Sequence, residues 1–365
     1  MTDNAGSIVT VEGPIDPDDL GVTITHEHTF VDLANGWFEE SDSIVERGIQ
    51  NEPVSMENLS YIRQNTMSHR DNMILDDFET AVDEVRKFAL AGGDTIVDLT
   101  PKNLGEDPEA VRKVGRATGV QYVHGTAFYT RAAHPDRIDE TSVDELEEEF
   151  VSDVREGIGD TDVRAGVVGE IGLSNLIHEQ EEKVLRAGAR AALRTGAPMN
   201  IHPPGRTPES QQGRTYPTSR WSLDVLDMLE EEGVEPERVT MSHMDRTLFE
   251  DLSYQKELAE RGAYLEYDLW GTENYLGKYD DSYQSDSWRV DSVMELIDEG
   301  YEEQLLFSHD VAYKVSLTEY GGFGYAHVLE NIVPRLESRG VASETLDGIL
   351  VENPKRALQF VEPRE

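Results

Sequence analysis

The chain of 365 residues contains no cysteine, only eight lysines and no long apolar run. Without cysteine there are no disulfides, no thiolate metal sites and no cysteine nucleophile, so any metal ion must be held by nitrogen and oxygen. Basic residues number 32 against 74 acidic ones, a formal net charge of −42. A surface of that sign repels phosphate backbones and anionic headgroups, which excludes nucleic-acid and membrane-surface binding. The acids are spread in clusters such as Glu147-Glu148-Glu149, Glu230-Glu231-Glu232 and Asp280-Asp281 rather than gathered in one tail. Molar salt, with a Debye length of ~3 Å, screens such self-repulsion, and the acid-rich, lysine-poor composition reads as that of a halophile. Neither a leader-like N-terminal stretch nor an apolar run near ~18 residues is present, so a cytoplasmic protein is expected.

Hydrophobic residues make up 38% of the chain, enough to fill a substantial core. Short apolar, β-rich runs recur eight times, at 22–24, 95–99, 121–125, 165–171, 197–201, 239–242, 263–267 and 304–308. Amphipathic stretches with apolar positions three and four apart lie between most of them, at 78–91, 143–156, 180–195, 223–232 and 290–299. Strands alternating with helices predict a parallel sheet, and eight such units at this length predict an α/β fold of the (β/α)8 TIM-barrel type. No linker, repeat or composition break divides the chain, so one domain is expected over residues 1–365, with the barrel core at about 20–340. The polar stretch 35–76 is too long for an ordinary βα loop and is expected to carry short helices beside the barrel mouth.

Histidines and certain carboxylates fall at the ends of these runs. The first strand ends in His26-Glu27-His28, where period-two alternation aims both imidazoles to one side. The fourth carries Glu170 inside an apolar run, where an unpaired carboxylate would be costly. The fifth ends at His202, the sixth at His243 and the eighth at Asp310. Barrel geometry gathers the C-terminal strand ends, so residues nearly three hundred positions apart can meet. Six ligands exceed the three protein ligands and one water usual for an open catalytic zinc, and they suit two metal ions with a bridging carboxylate. Such a pair can hold a bridging hydroxide and polarise a substrate oxygen, which is hydrolytic machinery. The other histidines, His69, His124, His134, His178, His309 and His327, read as ordinary hydrogen-bonded residues, with His309 pointing away from the site that Asp310 faces. Segment 264–275 reads as half core and half site wall, and Gly322-Phe323-Gly324 as a turn. No Gly-x-Ser-x-Gly elbow, phosphate-binding loop or His-Glu-x-x-His motif occurs.

At these residues the sequence resembles the phosphotriesterase family of the amidohydrolase superfamily over nearly its whole length. Gly21-Val22-Thr23-Ile24-Thr25-His26-Glu27-His28 is similar to the family's opening signature. Val97-Asp98-Leu99-Thr100-Pro101, Gly125-Thr126-Ala127-Phe128-Tyr129, Gly169-Glu170-Ile171-Gly172, Ser242-His243-Met244-Asp245-Arg246, Ser308-His309-Asp310, Tyr320-Gly321-Gly322-Phe323-Gly324-Tyr325 and Val351-Glu352-Asn353-Pro354 continue it. The resemblance implies that His26, His28 and Asp310 hold the more buried ion, that His202 and His243 hold the more exposed one, and that Glu170 bridges them. Many members carry a carboxylated lysine as the bridge; glutamate marks one branch and argues against phosphotriester hydrolysis.

The resemblance also implies a hydrolase with two divalent ions, zinc first and manganese or cobalt as alternatives. Its expected substrate is a lactone or carboxylic ester. An amide of an acylated amine is the next reading, a phosphotriester a further one, and a non-catalytic metal-containing binding protein the reading from another class. Asp310 is expected to combine ligation with proton transfer, Asp245 to act as a relay or a loop acceptor, and Tyr129, Arg206, Arg246 and Lys314 to meet an anionic substrate. The expected partner is a small molecule, with no nucleic acid or membrane, and a homodimer stays open.

Overall fold

In the computed structural model the described residues are 4–204, 219–247, 252–276, 281–282 and 284–364. The barrel strands are β1 (Thr23–Glu27), β2 (Thr95–Asp98), β3 (Gln121–Thr126), β4 (Val167–Gly172), β5 (Met199–His202), β6 (Val239–Met241), β7 (Tyr264–Tyr267) and β8 (Leu305–Phe307). They pair in parallel, in sequence order, as one eight-stranded sheet. The expected (β/α)8 barrel is therefore present, nearly closed. All eight sequence runs fall on these strands.

No ladder joins β8 to β1 among the described residues. Ser308 spans the gap instead: its hydroxyl accepts from the His26 N–H at 2.8 Å and lies 2.8 Å from the His26 carbonyl. The Asp310 N–H also donates to that carbonyl, at 3.1 Å. Glu27, which points away from its two histidine neighbours, accepts from the N–H groups of His309 and Val311 and so holds the end of β8 from outside.

The barrel floor is apolar. Val97, Leu99, Val123 and Val167 cluster there with Ile8, Leu20 and Leu358. Burial of such side chains stabilises by ~1.5–3 kcal/mol each, which makes the floor the rigid base on which the polar upper ends stand. Around the barrel run α1 (Phe78–Leu90), α2 (Pro108–Thr118), α3 (Val143–Arg155), α4 (Glu179–Thr195), α5 (Ser219–Glu232), α6 (Ser253–Arg261) and α7 (Asp286–Asp298). The starts of α3 and α4 are set by reciprocal caps, Ser142 with Glu145 and His178 with Glu181. Two helices lay outside the sequence expectation: α2, whose start is marked by the Asp107 cap and Pro108, and the short α6. The apolar stripe of α6, Tyr254 with Leu258, is brief, whereas α2 is strongly amphipathic, with Val111 and Val114 buried on one face, and its periodic signal was there to be read.

Short helices do occupy the 35–76 excursion: Ala34–Trp37, Ile44–Gln50 and Leu59–Gln64. A two-residue strand, Ile74–Leu75, returns it against Val31–Asp32. Among the described residues no helix is long and apolar enough to cross a membrane.

Candidate metal centre

The strand ends bring all six expected ligands together. Glu170 lies at the centre: its Oε1 is 2.7 Å from His202 Nδ1 and 3.1 Å from His243 Nε2, and its Oε2 is 3.5 Å from His26 Nε2. His28 Nε2 is 3.2 Å from Asp310 Oδ1. Among the described residues three groups have donor atoms within 4.8 Å of one another: His26 with His28 and Asp310, Glu170 with His202 and His243, both drawn from the six expected ligands, and His26 and His243 with Asp268. Close strand approach is part of the construction, because a Cβ on Gly169, beside Glu170, would sit 2.6 Å from the Asn200 carbonyl. His243 and Asp310 both hold left-handed backbone, φ 58° and 49°. Among the described non-glycine residues only Asn103 shares it, and such strained positions cluster at functional sites.

Behind the ligands stands a second row that sequence reasoning missed. Asp268, one residue past β7, takes His26 Nδ1 on Oδ2 and His243 Nδ1 on Oδ1, each at 2.9 Å, and accepts the His243 N–H at 3.1 Å. Glu266 Oε2 lies 3.1 Å from His26 Nδ1 and also accepts from Asn200 Nδ2 and the Ser242 hydroxyl. Thr100 Oγ1 is 3.1 Å from His28 Nδ1. These partners draw the ring protons to Nδ1 and leave the Nε2 atoms of His26, His28 and His243 as donors to an ion, the arrangement that orients metal-binding histidines. The signal was present as two acids at period two on an apolar strand, the same reasoning that singled out Glu170.

The buried groups of the cluster shift one another's protonation. Burial disfavours a charged His26, but Glu170 and Asp268 outweigh it and raise its pKa well above the ordinary value. Against burial and the neighbouring Arg246, Asp268 and Glu170 raise His243 as well. Glu170, despite burial, is held well below the usual carboxylate range by the charge of His26 and by hydrogen bonds from His202 and His243. His202 moves oppositely: burial and the charges of Arg246 and His243 push it down to about 3, so its ring is neutral. His26 Nε2 is buried without a hydrogen bond. A buried donor of that kind, two nitrogen-and-carboxylate sets and a fixed second row fit a pair of divalent cations.

At the mouth, Tyr129 packs edge-on against His202, ring centroids 4.7 Å apart, with its hydroxyl 2.8 Å from Nδ1 and 3.3 Å from Nε2. Trp37, from the excursion, packs edge-on against the other side of Tyr129 at 5.4 Å. Burial and the charge of Glu170 raise the Tyr129 pKa well above its ordinary value, so the phenol keeps its proton. Arg246 Nη1 is 3.0 Å from His202 Nε2. Lys314 instead pairs with Asp71 at 2.6 Å and fastens the excursion to the segment after β8. Arg206 lies outside the described residues. Asp245 is salt-bridged to Arg289 at 2.8 Å and accepts the Leu269 N–H, which makes it a loop acceptor.

The remaining histidines do ordinary work, with His134 Nε2 on the Tyr129 carbonyl, His178 capping α4 and His327 on Asp286. His309 turns away from the cluster to Glu27, as expected.

A model of the phosphotriesterase family matches residues 6–358. The chain belongs to that family. Among phosphotriesterase-family relatives it is 39% identical to an N-acetyltaurine hydrolase of Danio rerio over 363 residues, 99% of this chain and 100% of the relative. A solved resiniferatoxin-binding protein from Rhodobacter sphaeroides superposes with a TM-score of 0.91 at 36% identity, covering 98% of each chain. A lactonase from Listeria monocytogenes superposes with a TM-score of 0.75 at 28% identity, covering 97% of this chain and 99% of its own. The protein is a metal-dependent hydrolase of the phosphotriesterase family.

Proposed function

We propose that the protein hydrolyses the amide of an acylated amine, with N-acetyltaurine as the first substrate to try. The observation that carries this reading is the 39% identity, end to end, to an N-acetyltaurine hydrolase. The amide thus moves ahead of the lactone or carboxylic ester first expected from the sequence. A lactone remains the second reading, supported by the similarity to the Listeria lactonase.

The six ligands would hold two ions, His26, His28 and Asp310 the inner one, His202 and His243 the outer, with Glu170 between; zinc is proposed, with manganese or cobalt as alternatives. Bound there, the ions would supply Lewis-acid polarisation of the substrate carbonyl and a water of lowered pKa. The chain's own groups then have separate tasks. Asp268 and Glu266 hold His26 in one orientation, and Asp268 does the same for His243. Asp310, whose carboxylate is 15% exposed, takes the proton from the attacking water and delivers it to the departing nitrogen, which must be protonated to leave. Tyr129 keeps its proton and lines the outer wall.

Turnover of N-acetyltaurine by metal-replete protein, set beside a panel of lactones and simple esters, tests the reading. Amide turnover exceeding the rest supports it; lactone turnover with none on amides replaces it with the second reading. Full metal content without turnover on any substrate would leave a binding protein. We further propose that the acidic surface is an adaptation to a saline cytoplasm.

A further inference from the structure

We propose that one buried water molecule, held between Thr25 of β1 and Glu266 of β7, sits at the base of the metal centre, and that through it Thr25 positions His26; the second part rests on the two-ion reading above. Thr25 Oγ1 and Glu266 Oε1 are both buried without a hydrogen-bond partner among the described residues. Thr25 is 4% exposed and Glu266 0%, so bulk solvent satisfies neither atom. Left unpaired, each forfeits its hydration with nothing in return. Both residues line one cavity, which has about 10 Å³ of room and lies where the apolar floor of Val97, Leu99 and Val167 meets the second row. That is the lower end of the ~10–15 Å³ that a single water needs. A wholly apolar cavity of this size stays dry, whereas two unpaired oxygens on its lining residues give a water the partners it requires. Thr240 of β6, also buried, lines the same cavity with a third hydroxyl-bearing side chain.

Water suits these partners better than a cation. It gives and takes hydrogen bonds at once, so it serves a carboxyl oxygen and a hydroxyl together, whichever way the hydroxyl turns. A hard cation such as calcium takes ~6–8 oxygen ligands, and most of this lining is aliphatic. Position gives the water its use. Glu266 Oε2 is already shared: it lies 3.1 Å from His26 Nδ1 and accepts from Asn200 Nδ2 at 2.9 Å and from the Ser242 hydroxyl at 2.7 Å. These contacts fix one end of the carboxyl group, and a partner on Oε1 fixes its rotation. Thr25 directly precedes His26 on β1, so the water ties the strand that carries an inner ligand to the acid beside that ligand's ring. Thr25 thus acts through the water and Glu266, one step behind the supporting groups whose loss costs ~10–100-fold in metal affinity.

The competing arrangement is a direct hydrogen bond between Thr25 and Glu266 with no water between them, and the experiment separates the two. High-resolution crystal structures of the metal-loaded parent, grown in potassium chloride and soaked in rubidium chloride, are compared with those of Thr25→Val, which keeps the shape and loses the hydroxyl, and Thr25→Ser, which keeps the hydroxyl. Chelator competition measures metal affinity in all three. The parent should show one peak ~2.5–3.0 Å from both oxygens, with no anomalous signal from rubidium. Thr25→Val should lose or weaken the peak and reduce metal affinity about threefold to tenfold, and Thr25→Ser should bring affinity back to within about twofold of the parent. No peak in the parent, or a rubidium signal at that place, would overturn the water. Parent-like affinity in Thr25→Val, or a Thr25→Ser variant as weak as Thr25→Val, would overturn the positioning role. If the parent takes up no ion, the two-ion reading fails and the positioning role falls with it, while the density in the parent still decides the water.

Discussion

Strands β4 and β7 both bring acids to the upper end of the barrel, Glu170 on one, Glu266 on the other with Asp268 directly after it. Glu170 meets His202 Nδ1, His243 Nε2 and His26 Nε2, nitrogens that face the centre of the cluster. The β7 acids meet Nδ1 of His26 and His243, the nitrogens that face away from it. One kind of carboxylate competes for the place of a cation, and the other decides which nitrogen is free to take one. Residue type and burial are alike in the two cases. Which edge of the imidazole is addressed makes the difference, and exchanging acid for amide should therefore have unlike consequences on the two strands.

The largest effect is expected at β4. Glu170→Gln should lower metal content and activity together, beyond the ~10–100-fold that loss of a supporting carboxylate costs. Elemental analysis beside kinetics checks it; full occupancy with activity lost would erase the distinction between the strands. Asp310→Asn comes next, with much of the fold and part of the metal retained and kcat down by ~10²-fold. Near-normal turnover in a metal-loaded variant would show that the proton takes another route.

Smaller effects are expected at β7. Asp268→Asn should weaken metal binding by ~10–100-fold in a chelator competition, and Glu266→Gln towards the lower end of that range. Asp268 holds two imidazoles, whereas Glu266 holds one and shares its oxygen with Asn200 and Ser242. A reversed order would mean that the support of His26 outweighs that of His243. The smallest effect per residue belongs to the surface, where no single acid matters. Thermal midpoints measured from low to molar potassium chloride should rise as self-repulsion is screened, and a flat or falling curve would end the halophile reading.

The strand-end pattern made the barrel and the six-residue cluster legible, because an apolar run that stops at a histidine or encloses one acid buries a polar group at a cost unless a partner satisfies it. The β7 acids carried a similar signal but were obscured in a chain with 74 carboxylates. Lys314 illustrates another limit: its partner Asp71 is 243 positions away, and no local pattern announces a pairing between an excursion and the segment after β8. Arg289, buried between Asp245 and Asp286, was invisible for the same reason.

The Ser308 clasp has a consequence for how the barrel breathes. Where the other strand junctions are laced by repeated backbone pairs, β8 and β1 are joined through side chains and one backbone contact: the Ser308 hydroxyl, the Asp310 N–H and the Glu27 carboxylate, which accepts from Ser308, His309 and Val311. Sub-global opening follows the weakest lacing, so this junction is where the cylinder is expected to part. The two sides of the gap carry His26 and His28 on one lip and Asp310 on the other. Amide hydrogen exchange at His26 should then report that parting, accelerating in Ser308→Ala, and the residence time of an inner ion would be governed by the same motion.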